Sequence, residues 1–259
     1  MQKIYLFLTF FYTYFVSIYE TICLKQKNHD KINLKNDIET KGFQEIELIE
    51  NLDLKITSAN ILKVNKYMEK NILMEEELFK LIDYIFVERN LAKKIFMLTG
   101  YNYSIDFFIL YKTFSIASSD QDKPWFANHW HSDKPFSKNT LKIIIPISDL
   151  DNSDYGGIQV LTKSKTQDIR KKKISYSDIL DDEEYQMKVK KKTLLIFKPN
   201  ICLHKAGNPK NNKTREQIMF QLNPSKKWKI NFNISKKQNY KEPKFPFISY
   251  FFDKKINLN

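Results

Sequence analysis

His131 and Asp133 stand two residues apart in the run NHWHSDKPF (128–136). On extended backbone, side chains two apart point to the same side, so an imidazole and a carboxylate are offered to one point in space. That mixed pair suits a divalent iron site better than a structural zinc site, particularly if a distant second histidine completes a facial set of three. His204, which follows the segments LLIFKP and ICLH, can be that third ligand. His129 shares the face of His131 if the strand stays extended, so a His129/His131 pair is a competing ligand set. A cupin-like site would want a glutamate a few residues later, and SDKPFSKNTLK contains none. His129 therefore reads as a neighbour of the site or an exposed histidine at its mouth.

Two histidines and one carboxylate leave three positions of an octahedron open. A 2-oxo acid can fill two of them and dioxygen the last. The far carboxylate of 2-oxoglutarate then needs a cation, and the planar fork of arginine binds a carboxylate with two parallel hydrogen bonds. The chain has three arginines, Arg89, Arg170 and Arg215. Arg215 opens the segment TREQIMFQL (214–222), which could run beside the strand leading to His204. Lys112, Lys142 and Thr140 could also reach a cosubstrate, but lysines are mostly exposed, and the plainer reading turns both lysines to solvent. Trp125 and Phe126 could line a pocket or simply belong to a core.

These side chains need elements to position them. Strand grammar, rich in β-branched and aromatic residues, begins at IDFFILYKTFSIA (105–117). It continues in Trp125–His131, Thr140–Ser148, Gly157–Thr162, Thr193–Lys198 and Gln217–Leu222, separated by Gly, Pro, Asn and Asp turn signals. Before it, residues 59–98 place Leu73, Leu78, Leu81, Ile82, Ile85 and Phe86 largely at helical spacing, and Gly100 and Asn102 end that stretch. FQEIELI (43–49) reads as one short strand. Residues 163–192 form a charged surface insertion with a helix expected around Ser177–Met187. Many short strands behind a helical block suggest a β-sandwich or barrel with helices on one side. The division expected is a hydrophobic N-terminal segment over 1–24, a Lys/Asn/Asp-rich linker over 25–41, and one domain over 42–259, helical at 59–99 with its β-core at about 104–225.

At 259 residues one core suffices without disulfides. Cys23 and Cys202 form no CxxC pair, so a reducing compartment, the cytoplasm, is the plain reading. The formal charge of +13 invites a nucleic-acid partner. The basic residues are overwhelmingly lysine, alongside abundant Asn, Ile, Phe and Tyr, which reads as compositional bias; no nucleic-acid partner is expected. Residues 4–19 (IYLFLTFFYTYFVSIY) are nearly all apolar or aromatic yet short for a membrane span. A helix packed on the domain or lying at a membrane interface, a membrane anchor and a cleaved signal all remain open.

From about Trp125 to Pro224 the chain resembles the phytanoyl-CoA dioxygenase family. The resemblance is carried by His131-Ser132-Asp133, the strand TLKIIIPISDLD (140–151), the turn and strand GGIQVLTKS (156–164), and FKPNICLHKAGNPKNNKTREQIMFQLNPS (197–225). It implies a mainly β fold with N-terminal helices and a double-stranded β-helix core (a jelly roll, cupin-like). It also implies Fe(II)- and 2-oxoglutarate-dependent dioxygenase activity on a small organic substrate, with iron on His131, Asp133 and His204 and 2-oxoglutarate on Arg215. Where relatives carry a Pro-Gly-Ser-His-like turn, this chain has Thr162-Lys163-Ser164-Lys165. Asp133, replaced by a small residue in relatives that halogenate, is retained and points to hydroxylation. The alternatives are a cupin-type metalloenzyme independent of 2-oxoglutarate and a non-catalytic binding module on the same fold. Substrate identity and oligomeric state are not legible.

Overall fold

The computed structural model describes residues 12, 14–26, 36–47, 60–133, 137–147, 153–179, 185–186, 193–210, 212–231, 233–237 and 254–255. Helix α1 covers residues 14–24 and ends in a π-turn at Glu20–Leu24. A short α2 (Asp37–Thr40) leads into β1 (Phe43–Glu47), and a hairpin of β2 (Asn60–Asn65) and β3 (Met68–Ile72) follows. Helix α3 (Glu75–Asp83), prolonged by a π-turn at Tyr84–Glu88, and α4 (Leu91–Thr99) complete the helical layer. The remaining elements are β4 (Asn102–Phe114), β5 (Leu141–Pro146), β6 (Gln159–Val160), α5 (Lys163–Lys171), β7 (Tyr185–Gln186), β8 (Thr193–Phe197), β9 (His204–Lys205), β10 (Thr214–Ser225), β11 (Lys229–Ile230), α6 (Ile234–Lys237) and β12 (Lys254–Lys255).

The strands form two sheets. The larger runs β1-β8-β5-β10-β4-β11-β12, with β3 also pairing β4 and β2 pairing β3; the smaller runs β7-β6-β9. His131 bridges His204, extending the small sheet beyond β9. From β4 the chain steps to His131 in the small sheet, back to β5, over to β6 and β7, back to β8, over to β9 and back to β10. Alternation between two facing sheets is the winding of a double-stranded β-helix, the jelly roll expected from sequence.

Period-two alternation decides what each strand offers to each side. Leu141, Ile143 and Ile145 of β5 and Ile218, Phe220 and Leu222 of β10 share one core with Leu78, Ile82, Ile85, Phe86, Leu91 and Ile95 of the helices. Phe220 packs between Phe86 and Phe108 with ring centroids 5.1 and 5.3 Å away. Burying such a ring contributes about 2–3 kcal/mol. The opposite face of the same strands looks into the lumen between the sheets, where Ile144, Leu195 and Phe197 meet Ile158, Val160 and Cys202. Cross-strand register ranks the lumen face into rows: Phe107, Gln221, Lys142 and Phe197; then Ile109, Met219, Ile144 and Leu195; then Tyr111, Gln217 and Pro146; then Thr113 and Arg215. The lumen is thus polar toward both ends with an apolar waist.

Several sequence expectations are corrected. Residues 60–72 are a hairpin, not the start of the helical block: Asn65 Oδ1 caps the turn by accepting from the Tyr67 amide at 2.8 Å, and β3 finds a partner in β4. Tertiary pairing overrides the local pattern there, and helix begins at Glu75. Trp125–Trp130 is not a strand; it is a loop with Ala127 at φ 60° that turns extended only at the His131 bridge. The helix of the 163–192 insertion lies at Lys163–Lys171, capped by Thr162 Oγ1 on the Lys165 amide, with Thr166 and Ile169 buried. Within 177–179 only the end of a 3-10 turn (Tyr176–Asp178) stands where the helix was expected, and 180–184 and 187 lie outside the described residues. The end of the 25–41 linker is ordered as α2, whose Ile38 is fully buried, while 27–35 are not among the described residues. Among the described residues no helix is long and apolar enough to cross a membrane, and of the 4–19 stretch residues 4–11 and 13 lie outside them.

Candidate metal centre

His131 and His204 face each other across the end of the small sheet. Each amide donates to the other's carbonyl, His131 N to His204 O at 3.0 Å and His204 N to His131 O at 2.9 Å. Directly opposed residues of an antiparallel pair present side chains on the same side, and the two rings stand 4.3 Å apart. Asp133 follows two residues on, its amide bonded to Pro199 O at 3.0 Å. One ligand atom from each of His131, Asp133 and His204 lies within 4.8 Å of the other two, the single such group of three or more among the described residues.

The second nitrogen of each ring fixes what the first can do. His131 Nδ1 contacts the carbonyl of His129 at 2.8 Å, and His204 Nδ1 that of Cys202 at 3.1 Å. A carbonyl only accepts, so both Nδ1 atoms carry hydrogen and both Nε2 atoms present a lone pair. Those lone pairs converge on Asp133 Oδ1, 3.9 Å from His131 Nε2 and 3.6 Å from His204 Nε2. These gaps are too long for hydrogen bonds, and the buried His204 Nε2 has no partner among the described residues. Two nitrogens and one oxygen around such a gap are the donor set for a divalent cation. Burial under Phe197, whose ring lies 4.9 Å away, pushes His204 down to about 3, with Lys142 adding to the effect, so the ring is neutral and ready to ligate.

Lys142, expected to face solvent, does not. Its Nζ is 2.6 Å from Asp133 Oδ2, and its side chain is 13% exposed. Burial would raise the Asp133 carboxyl, but the Lys142 ammonium outweighs it and holds it below the usual range. Thr140 is buried and donates to Asn223 Oδ1 at 2.7 Å. His129 is exposed and is not among the clustered residues, which removes it from the ligand set. Lys112 stacks on Phe114 at 5.8 Å, and Trp125 packs on Tyr67 at 4.9 Å.

Arg215 projects from β10 and is fully buried. Its Nη1 donates to the Gly207 carbonyl at 2.8 Å, and its guanidinium lies 5.9 Å from the Phe126 ring. Nε and Nη2, the two donors along one edge of the fork, have no partner among the described residues. That edge takes a carboxylate through two parallel bonds, and a buried guanidinium left without one costs several kcal/mol. Burial pushes Arg215 down, which is the same desolvation seen from the proton's side. Next along the strand, Gln217 is bonded to the Tyr111 hydroxyl, while its Oε1 has no partner among the described residues. Tyr111 and Gln217 escaped the sequence reading; their signal was parity with Arg215, since residues 215 and 217 share a face once the strand is known.

No protein-family profile matches the chain, and no curated protein does. Among solved structures it is similar to HygX from Streptomyces hygroscopicus, solved with nickel and 2-oxoglutarate bound, at 10% identity and a TM-score of 0.49, over 74% of this chain and 86% of that one. It is similar to SnoN, described as a non-heme alpha ketoglutarate dependent epimerase from nogalamycin biosynthesis, at 9% identity and 0.48, over 72% and 79%. It is also similar to a prolyl-4-hydroxylase of Pseudomonas putida, at 11% identity and 0.41, over 73% and 96%.

Proposed function

We propose that the chain is an Fe(II)- and 2-oxoglutarate-dependent dioxygenase of the phytanoyl-CoA dioxygenase type that hydroxylates a small organic substrate. The observation carrying this reading is the convergence of two imidazole lone pairs and one carboxylate oxygen, from His131, His204 and Asp133, within 4.8 Å of one another. The residues fit the group. His131 and His204 would hold the metal through Nε2 and Asp133 through Oδ1, leaving one side open for a chelating ligand. Arg215 would pair with the distal carboxylate of 2-oxoglutarate through Nε and Nη2, which are buried and have no partner among the described residues.

When bound, iron and 2-oxoglutarate supply the oxidation: dioxygen and 2-oxoglutarate are consumed, succinate and carbon dioxide leave, and a substrate C–H becomes C–OH. The chain's own part is to hold and exclude. The Cys202 and His129 carbonyls keep both rings in the ligating tautomer. Phe197 shields the His204 side from water, and the part-exposed His131 side is where a substrate would approach. A soluble, cytoplasmic protein with a small-molecule substrate fits this reading.

Anaerobic titration of the purified protein with Fe(II) and then 2-oxoglutarate tests it. The expected result is the weak visible charge-transfer band of an iron–2-oxoglutarate chelate, lost in His204→Ala and weakened in Arg215→Ala. Iron binding without the band would favour an enzyme independent of 2-oxoglutarate. A protein that binds no metal would overturn the reading.

A further inference from the structure

We infer that Lys142 is a fixed cation of the metal centre, which shares Asp133 with the metal and selects an anionic rather than a neutral ligand for the metal's open positions. The inference rests on the metal-site reading above and adds a residue and a selectivity to it.

Lys142 sits in the lumen row of Phe107, level with Gln221 and Phe197 on the neighbouring strands. Lysine is among the residues least often buried, and a lysine placed only for solubility would sit in a loop or at an exposed edge, not on a strand whose two faces are both buried. Here the side chain is 13% exposed and ends 2.6 Å from Asp133 Oδ2. The other oxygen, Oδ1, is the one facing the two imidazoles at 3.6 and 3.9 Å. The carboxylate is therefore divided: one oxygen held by the ammonium, one left for a cation. This fixes the ligating rotamer of Asp133 and limits it to a single donor atom. It also sets the charge of the site. With both imidazoles neutral, Lys142 and Asp133 cancel, so a bound dication leaves two positive charges uncompensated in a half-buried site. A neutral ligand leaves that imbalance in place. An anionic one reduces it and gains attraction from both cations. The ammonium thus opposes the bare metal and favours the metal together with an anion.

The two effects have opposite signs, which separates them from a merely structural role. Co(II) binding to the full chain, and binding of N-oxalylglycine (an unreactive 2-oxoglutarate analogue) to the Co(II)-loaded chain, would be measured by visible absorption and calorimetry. Lys142→Met is expected to bind Co(II) roughly tenfold tighter and N-oxalylglycine roughly tenfold weaker. Lys142→Gln should follow it, and Lys142→Arg should return both values close to those of the unaltered protein. A packing or folding role would weaken both ligands together, and that outcome, or an unchanged N-oxalylglycine affinity, overturns the inference while leaving the metal site standing. Failure of the unaltered protein to bind Co(II) overturns the metal-site reading itself and this inference with it.

Discussion

Arg215 is fully buried, yet among the described residues its Nε and Nη2, along one edge of the fork, have no partner, while Nη1 is tied to the Gly207 carbonyl. That tie depends on a backbone contact that admits no side chain. A Cβ on Gly207 would lie 2.5 Å from Gly157 O, and one on Gly156, at φ 63°, would lie 2.4 Å from the Asn208 carbonyl carbon. Gly207→Ala must push the 204–208 segment off the Gly156–Gly157 turn and move the carbonyl that aims Arg215. It is expected to weaken 2-oxoglutarate roughly ten- to a hundredfold, with Fe(II) affinity far less affected; anaerobic titration reads both. At this scale much was legible. His131-x-Asp133 needs only a local extended stretch, and the rarity of arginine drew attention to Arg215. Lys142 was not, because β5 is buried on both faces. With Leu141, Ile143 and Ile145 in one core and Ile144 in the other, the strand carries no polar side to tell which way an isolated lysine points.

At the scale of elements, the long antiparallel partners β4 and β10 and the central β5 and β8 stand where hydrophobic runs and turn residues indicated. The errors fell where a segment is defined by a distant partner: β3 by β4, and His131 by His204. Helix α1 also rests on a distant partner, and its packing on the domain was one of the readings left open for this stretch. It docks through Glu20, whose Oε2 accepts from Ser137 Oγ at 2.6 Å and Asn139 Nδ2 at 2.9 Å in a buried position. Burial raises the Glu20 carboxyl, and the two hydrogen bonds only partly offset it. Its folded value therefore lies above the unfolded one, so the folded state holds the proton more tightly. The stability this contributes is present below the unfolded value and is lost as pH rises through the folded one. Glu20→Gln keeps an acceptor oxygen for both donors and removes the charge. It should raise the melting temperature at neutral pH and change it little near pH 4, a difference thermal melts at the two pH values would detect. An equal shift at both would mean the charge of Glu20 is not what burial there costs.

For the whole molecule, the +13 charge comes from lysines, and among the described residues Lys171 at the end of α5 and Lys172 and Lys173 after it are exposed. The cations assigned to the proposed chemistry are two inward-facing ones, Lys142 near one end of the lumen and Arg215 near the other. The winding that brings them together was legible as a class, many strands behind a helical block, but the rows between them follow from cross-strand register, which no single segment encodes. One short piece of this architecture sets a length. His204 and Gly207 lie on the same few residues of chain, the first a proposed ligand and the second the anchor of Arg215. Three residues of chain span at most about 10 Å, and the close packing of Gly207 on the Gly156–Gly157 turn fixes its end. The segment is then a molecular ruler, graduated in methylenes. A 2-oxo diacid with the spacing of 2-oxoglutarate should reach both marks. Oxaloacetate, one carbon short, and 2-oxoadipate, one carbon long, should bind the metal-loaded protein roughly tenfold more weakly or worse. Equal affinity for all three would mean that Arg215 does not read the far carboxylate.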